Sequence, residues 1–365
     1  MAVLLAGGAG YIGSHMVKRL LEEGEPVVVL DNLSSGYRDA VLGGDFVDGD
    51  FGSGEILRDL FKTYSIDAVM HFASFIQVGE SVIAPLKYYI NNVANTLQLL
   101  NTMIECGIAN FVFSSSAAVY GNACAGPLKE DHPCAPINPY GRTKRIVEEA
   151  LLDFSRGHGL KYFSLRYFNA AGADREARIG ERHSPETHLI PLVLQAASGR
   201  RDAITVFGRD YPTPDGTCIR DYVHVEDLCE AHLLALRALR RGHRGGFFNL
   251  GNAQGFSVSE VIGVARQVTG KPIEAIEAEP RAGDPAVLIA DARNVHLSLG
   301  WRPKRADLNC KKAGFGEPKA KFSARSGSSL YAALTRSNQS SSEIIFTPSS
   351  SAFLSLEPAP GPATT

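Results

Sequence analysis

The chain has 365 residues, 44% hydrophobic and 21% charged, which is ordinary globular usage and supplies core for one large or two moderate domains. A formal net charge of -2 provides no general field for nucleic acid or an anionic membrane surface, so any phosphate-bearing ligand has to be held by local devices. The six cysteines, Cys106, Cys124, Cys134, Cys218, Cys229 and Cys310, stand without C-x-x-C spacing, which argues against a metal site or a disulfide framework and favours a reducing cytoplasm.

The first stretch, "MAVLLAGGAG", has no basic leader and its apolar run is cut by glycines, so no signal peptide is expected. No segment approaches the apolar length of a membrane span. "AVLLAG", "PVVVLD", "AVMHFA" and "NFVFSSS" predict buried strands, while "SHMVKRLLEEG" and "NTLQLLNTMIECG" show helical spacing and end in glycine. No internal repeat is evident. The alternation predicts an α/β fold, a doubly wound parallel sheet of Rossmann type with helices on both faces.

Directly after the first strand, "GGAGYIGSH" sets Gly7, Gly10 and Gly13 in a G-x-x-G-x-x-G run that opens a helix. Backbone N–H groups and the helix dipole can there face a pyrophosphate. The second strand ends in Asp31, where a carboxylate can accept hydrogen bonds from an adenosine ribose. It would repel a 2′-phosphate, and no arginine stands beside it, so NAD is favoured over NADP. A plain turn cap is the alternative role for Asp31. Asp50 and Phe51, after a third strand, are placed to sit beside the adenine.

"NPYGRTK" puts Tyr140 and Lys144 four residues apart, on one face of a helix that starts at Pro139. A tyrosine with a pKa near its usual value of about 10 is a poor base at neutral pH, but a nearby ammonium and a positive nicotinamide ring both favour the phenolate. Tyr140 could then take a proton from a substrate hydroxyl while hydride leaves the same carbon. Ser116, at the C-terminal end of "NFVFSSS", can share a hydrogen bond with the reacting oxygen.

These motifs, together with "HFASFIQVGES", "YYINNV", "FSSSAAVYG", "LRYFNAAGA", "THLIPLVLQAASGR", "VFGRDYPTPDGTCIRDYVHVEDL", "FNLGN" and "RAGDPA", stand in an order that resembles the UDP-glucose 4-epimerase family of extended short-chain dehydrogenases/reductases, from the first residues to about Pro303. The resemblance implies reversible C4 epimerisation of UDP-glucose and UDP-galactose through a transient 4-keto sugar, with tightly held NAD. It implies Ser116, Tyr140 and Lys144 as the catalytic set, with Lys144 also holding the nicotinamide ribose. Cofactor contacts would come from Tyr11, Ile12, Asp31, Asn32, Asp50, Phe51, Phe72, Ala73, Asn91 and Phe168. Asn169, Leu189, Thr205, Phe207, Arg220, Arg281 and Asp284 would meet the nucleotide-sugar. Two arginines suit a diphosphate, Phe207 could stack on uracil, and Asp284 could bind a ribose hydroxyl. By default, without the motif, Phe207 would be core and Arg220 a surface partner of Asp221. A homodimer is the family expectation, formed by helices such as the one carrying Tyr140.

Departures from the family pattern sharpen the reading. Ile76 stands where many relatives have a lysine, and His188 where some have asparagine. Leu288 occupies a position that is a bulky tyrosine in members restricted to UDP-glucose and UDP-galactose, so UDP-N-acetylhexosamines become candidate substrates. A nucleotide-sugar 4,6-dehydratase would want an acid/base pair after the serine strand, where this chain has Ala117 and Ala118. A decarboxylase or epimerase acting on UDP-glucuronate would need a pocket for a carboxylate. A non-catalytic NAD-sensing protein would be expected to lack the tyrosine or the lysine. Residues 1–172 are expected to form the NAD-binding domain and 173–305 the substrate domain, with "RDYVHVEDL" returning to the first. Residues 306–365, rich in Ser, Pro, Ala and Gly, are expected to be a disordered tail.

Overall fold

The computed structural model describes residues 1–122, 126–281 and 284–305; the expected tail at 306–365 lies outside the described residues. From the start of the chain run β1 (Ala2–Ala6), α1 (Tyr11–Glu22), β2 (Val27–Asp31), β3 (Asp45–Asp48), α2 (Gly54–Thr63) and β4 (Ile66–His71). Two short helices follow, α3 (Val78–Ile83) and α4 (Pro85–Tyr88), then a π-helical turn (Tyr89–Ala94) and α5 (Asn95–Glu105). β5 (Asn110–Ser116) runs into a 3₁₀ turn (Ala117–Tyr120), and α6 (Pro139–His158) leads to β6 (Lys161–Tyr167).

Next come β7 (Asn169–Ala171), α7 (Leu189–Ala197), β8 (Ile204–Phe207), β9 (Ile219–His224) and α8 (Val225–Arg240). They are followed by β10 (Gly245–Leu250), β11 (Gly255–Ser257), α9 (Val258–Thr269), β12 (Ala275–Ala278), β13 (Val287–Leu288) and α10 (Arg293–Leu299). No helix among the described residues is long and apolar enough to cross a membrane.

Local chemistry accounts for the boundaries. β1 and β2 are buried at every residue, as strands covered on both faces must be. α1 begins at Tyr11, ahead of the apolar period that starts at Ser14, because the chain turns into the helix directly from Gly10. Gly24 and Gly107 follow α1 and α5 with φ of 73° and 74°, the left-handed stop that glycine adopts without strain. α6 is capped by Asn138, whose side chain accepts from Gly141 N at 2.8 Å, and opens on Pro139.

The large sheet has seven strands in the order β10-β6-β5-β4-β1-β2-β3, and every pairing in it is parallel. Its two faces are separate cores. One is built with α1 and α8, around Met16, Leu20, Leu233 and Leu236, and reaches Trp301; the other includes Leu57, Leu99, Val147 and Leu151 from α2, α5 and α6. The smaller part has two sheets, β11-β9-β13 with β7 added to β9, and β12-β8, with α7 and α9 over apolar clusters of their own. After β1 the order runs to β2 on one side and to β4 on the other, so the strand ends there open a crevice, the usual ligand position in such sheets.

Candidate active site

The crevice is a cleft of about 1440 Å³ that extends from the glycine loop and the ends of β1, β2 and β4 to β8, β13 and the start of α7. Gly7 has φ of +83°, and a Cβ there would run into the backbone of Ala73; a Cβ on Gly13 would collide with the Gly7 carbonyl. The loop therefore approaches both β4 and α1 at backbone distance. The first turn of α1, whose leading N–H groups have no intrahelical acceptor, lines the cleft beside it.

Asp31 fills the turn-cap role that sequence spacing offers it. Its Oδ2 accepts from Ala9 N at 2.8 Å and its Oδ1 from Leu33 N at 2.9 Å, so it caps the turn after β2 and ties the glycine loop down. It also lines the cleft. Burial raises its pKa, opposed by those two backbone hydrogen bonds.

Asp50 is the exception among the named site residues. It is absent from the cleft wall and instead accepts from Asn32 Nδ2 at 3.0 Å, Gly52 N at 2.7 Å and Asn95 Nδ2 at 3.1 Å. Its place is behind Asn32, because the carboxylate is drawn to a ring of donors on the loop before α2 and on α5. Every other residue named above as catalytic, cofactor-binding or substrate-binding lines the cleft.

The catalytic candidates come from two elements. β5 delivers Ser116 at its C-terminal end, and the first turns of α6 deliver Tyr140 and Lys144. Ser116 stands close enough to Tyr140 for its hydroxyl to lower the phenol's pKa. Lys144 is 2% exposed; its Nζ donates to Ser114 O at 2.7 Å and Ser74 Oγ at 2.8 Å, and lies 5.9 Å from the Tyr140 ring centroid.

The expected pull of an ammonium on Tyr140 toward phenolate is opposed by burial. Among the protein's own groups, burial has the larger effect and raises the Tyr140 pKa, with the Ser116 hydroxyl pulling the other way. Burial also pushes Lys144 down to about 7, opposed by the carboxylate of Glu148. Glu148 follows Lys144 by one helical turn and is fully buried, bonded to Ser115, Ser164 and Arg166.

Supporting residues were not visible as such in the sequence. Ser81 Oγ accepts from Tyr140 N at 3.2 Å. Asn92, on the π-helical turn, accepts from Phe75 N and donates to Phe75 O, both at 2.9 Å, and donates to Thr143 Oγ1 at 3.2 Å. The polar letters in "HFASF" and "YYINNV" were the available signal for Ser74 and Asn92.

At the far end, Arg220 forms an ion pair with Asp284, and Arg281 lies over the Phe207 ring at 4.0 Å from its centroid. Arg220 is thus no partner of Asp221. Asp221 is buried and accepts from the backbone N–H groups of Asn252, Ala253 and Ala290. Leu288 packs against the cluster of Ala117, Val119 and Tyr120 that follows Ser116. Ile76, 38% exposed, also faces the cleft.

Residues 3–251 match the model of the NAD dependent epimerase/dehydratase family. The chain is 53% identical over 308 residues to the UDP-glucose 4-epimerase of Halalkalibacterium halodurans, covering 84% of this chain and 92% of that one. It superposes with a TM-score of 0.82 on the UDP-glucose 4-epimerase of Brucella ovis in complex with NAD, at 46% identity over 84% of this chain and 94% of the other. The UDP-Glc/GlcNAc 4-epimerase of Campylobacter jejuni superposes with a TM-score of 0.77, at 40% identity over 93% and 99% of the two chains.

Proposed function

Because the chain belongs to the NAD dependent epimerase/dehydratase family, we propose that it interconverts UDP-glucose and UDP-galactose at C4 of the sugar, with NAD as its cofactor. The observation that carries this is the convergence of Ser116, Tyr140 and buried Lys144 with the glycine loop in one cleft. Its volume of about 1440 Å³ exceeds the roughly 300–1,000 Å³ usual for a single small ligand and suits a dinucleotide with a nucleotide-sugar beside it.

The residues fit NAD. The loop from Gly7 to Gly13 leaves no room for side chains on its inner face, α1 offers free N–H groups, and Asp31 closes the end of β2 with a carboxylate suited to ribose hydroxyls. Tyr11, Ile12, Asn32, Phe51, Phe72, Ala73, Asn91 and Phe168 complete the cradle, with Asp50 positioning Asn32. Bound there, NAD would supply hydride acceptance and return at the sugar's C4.

The chain's own residues manage the proton and the pose. Tyr140 takes the 4-hydroxyl proton and later gives it back, and Ser116 hydrogen-bonds the same oxygen. Lys144, held by Ser74 and the Ser114 carbonyl, supports the phenolate and the nicotinamide ribose. Arg220 and Arg281 meet the diphosphate, Phe207 the uracil and Asp284 its ribose, with Asn169, Leu189 and Thr205 around the sugar. Leu288, smaller than a tyrosine, leaves room at the sugar's 2-position, so UDP-N-acetylhexosamines are substrates too.

Residues 1–172, apart from β7 with Asn169, serve the cofactor and 173–305 the sugar nucleotide; of "RDYVHVEDL" only the part in α8 returns to the first, because β9 pairs with β7, β11 and β13, and β10 also joins the large sheet. A homodimer would cover Val82 (62% exposed), Ile83 (87%), Leu86 (70%) and Ile90 (51%), apolar side chains on or beside the short helices that flank α6. The free thiols of Cys106, Cys134, Cys218 and Cys229 suit the cytoplasm, where galactose metabolism would supply the substrate.

Incubating purified protein with UDP-galactose and no added cofactor tests the reading. Formation of UDP-glucose supports it. Folded protein that leaves UDP-galactose unchanged, even with NAD added, overturns it.

A further inference from the structure

A second group of ligand-type side chains lies at the cleft edge, on the segment that joins β7 to α7. Glu181, His183, Glu186 and His188 each present one donor atom, and the four atoms lie within 4.8 Å of one another. His188 Nδ1 is 2.9 Å from Glu181 Oε1 and 3.0 Å from Glu186 Oε1. His183 Nδ1 is 3.3 Å from Glu181 Oε1 and 3.7 Å from Glu186 Oε2.

We propose that these four residues form a binding site for a divalent transition cation of the zinc class. Tetrahedral coordination at about 2.0–2.2 Å puts neighbouring donors about 3.4 Å apart; the His–Glu spacings through Glu181 Oε1 and Glu186 Oε1 are 2.9, 3.0 and 3.3 Å, and all four donors lie within 4.8 Å of one another. Two imidazoles and two carboxylates are a borderline-soft donor set, poorly matched to calcium or magnesium. The two carboxylates also balance a 2+ charge, leaving a neutral site.

Hydrogen bonding alone leaves this cluster incompletely explained. One Nδ1–H cannot donate well to two carboxylates at once, yet His188 Nδ1 faces both. His183 Nδ1 is buried and makes no well-aligned hydrogen bond, although Glu181 Oε1 lies 3.3 Å from it. The backbone N–H groups of Thr187 and His188 both donate to Glu186 Oε1 at 2.8 Å, an outer layer that orients this carboxylate. The cysteine spacing that argues against a metal site never weighs this "ERHSPETH" run.

The location gives the ion a task. The His183 ring meets Tyr11 of the glycine loop edge-on, with centroids 6.3 Å apart, and His188 directly precedes Leu189 at the start of α7. A bound cation would pin the connecting segment between the two halves of the cleft. The site rests on its donor geometry and stands apart from the epimerase reading.

Full-length protein, freed of metal with a chelator, would be titrated with zinc against a chromophoric competitor, and separately with cobalt(II). One equivalent per chain, intense visible bands of tetrahedral cobalt(II), and proton release on binding are expected. His183→Ala and Glu186→Gln should each weaken zinc binding roughly 100-fold or more, with far-UV circular dichroism unchanged. Absence of saturable binding, the weak bands of octahedral cobalt(II), or unaltered affinity in folded His183→Ala would overturn the site and leave a pair of His–Glu ion pairs. If a variant fails to fold, the wild-type cobalt spectrum decides alone. Because no readout involves turnover, an inactive enzyme would not count against the site.

Discussion

Glu148→Gln removes one negative charge from the centre of the fold. Glu148 is 0% and Arg166 2% exposed. Glu148 Oε1 accepts from Arg166 Nε and Ser115 Oγ at 2.8 Å and from Ser164 Oγ at 3.0 Å, while Oε2 accepts from Arg166 Nη2 at 2.7 Å. Glutamine fills the same space but turns an amide donor toward donors and leaves the guanidinium without its counter-ion. Breaking one side of such a pair costs about 3–5 kcal/mol. At about 2–4 °C per kcal/mol for larger domains, the melting midpoint should fall by roughly 6–20 °C.

The same change should be felt at Lys144. Burial lowers its pKa to about 7 while the Glu148 charge opposes that shift, so removing the charge lowers the pKa further. Lys144 carries its ammonium only below that pKa, so the alkaline limb of turnover should move to lower pH. Thermal melts, and kcat measured between about pH 5.5 and 9, read both effects. Glu148→Gln/Arg166→Met, which removes charge and counter-charge together, should regain much of the lost stability. A Glu148→Gln protein with wild-type midpoint and wild-type pH profile would refute the reasoning.

Tyr140→Phe should lower kcat by roughly 10²–10⁴-fold while the folded protein still releases NAD on denaturation; full activity would remove Tyr140 from the proton's path. In chemical denaturation, Lys144→Met should alter the pH dependence of stability. Between a folded pKa of about 7 and the ordinary lysine value of about 10.4, the unfolded chain binds a proton that the folded chain does not. Wild type should therefore gain stability on Lys144→Met as pH rises through that window and lose it as pH falls; parallel curves would contradict the buried environment. Gly13→Ala places a Cβ against the Gly7 carbonyl and should abolish NAD retention, checked by absorbance of the denatured supernatant. Leu288→Tyr should eliminate turnover of UDP-N-acetylgalactosamine and spare UDP-galactose, and equal loss of both would defeat the pocket-size account.

Much of the molecule follows from short-range pattern. Parallel strands buried on both faces are written as unbroken apolar runs, so β1, β2 and β5 can be read directly, and a helix places Tyr140 and Lys144 on one face at i and i+4. The glycine loop is equally local, because Gly7 and Gly13 are required by contacts within a few residues or with the neighbouring strand.

Long-range packing settled the remainder. Asp50 stands behind Asn32 because donors from α5 and the following loop converge on it, and Arg220 pairs with a carboxylate 64 residues later rather than with its neighbour in the chain. Lys144 owes its low pKa to burial in a site built by β5 and the Ser74 loop, against the opposing charge of Glu148. Periodicity records which face of an element is apolar. It does not record which distant side chain that face will meet, and the charge state of a buried group depends on that meeting.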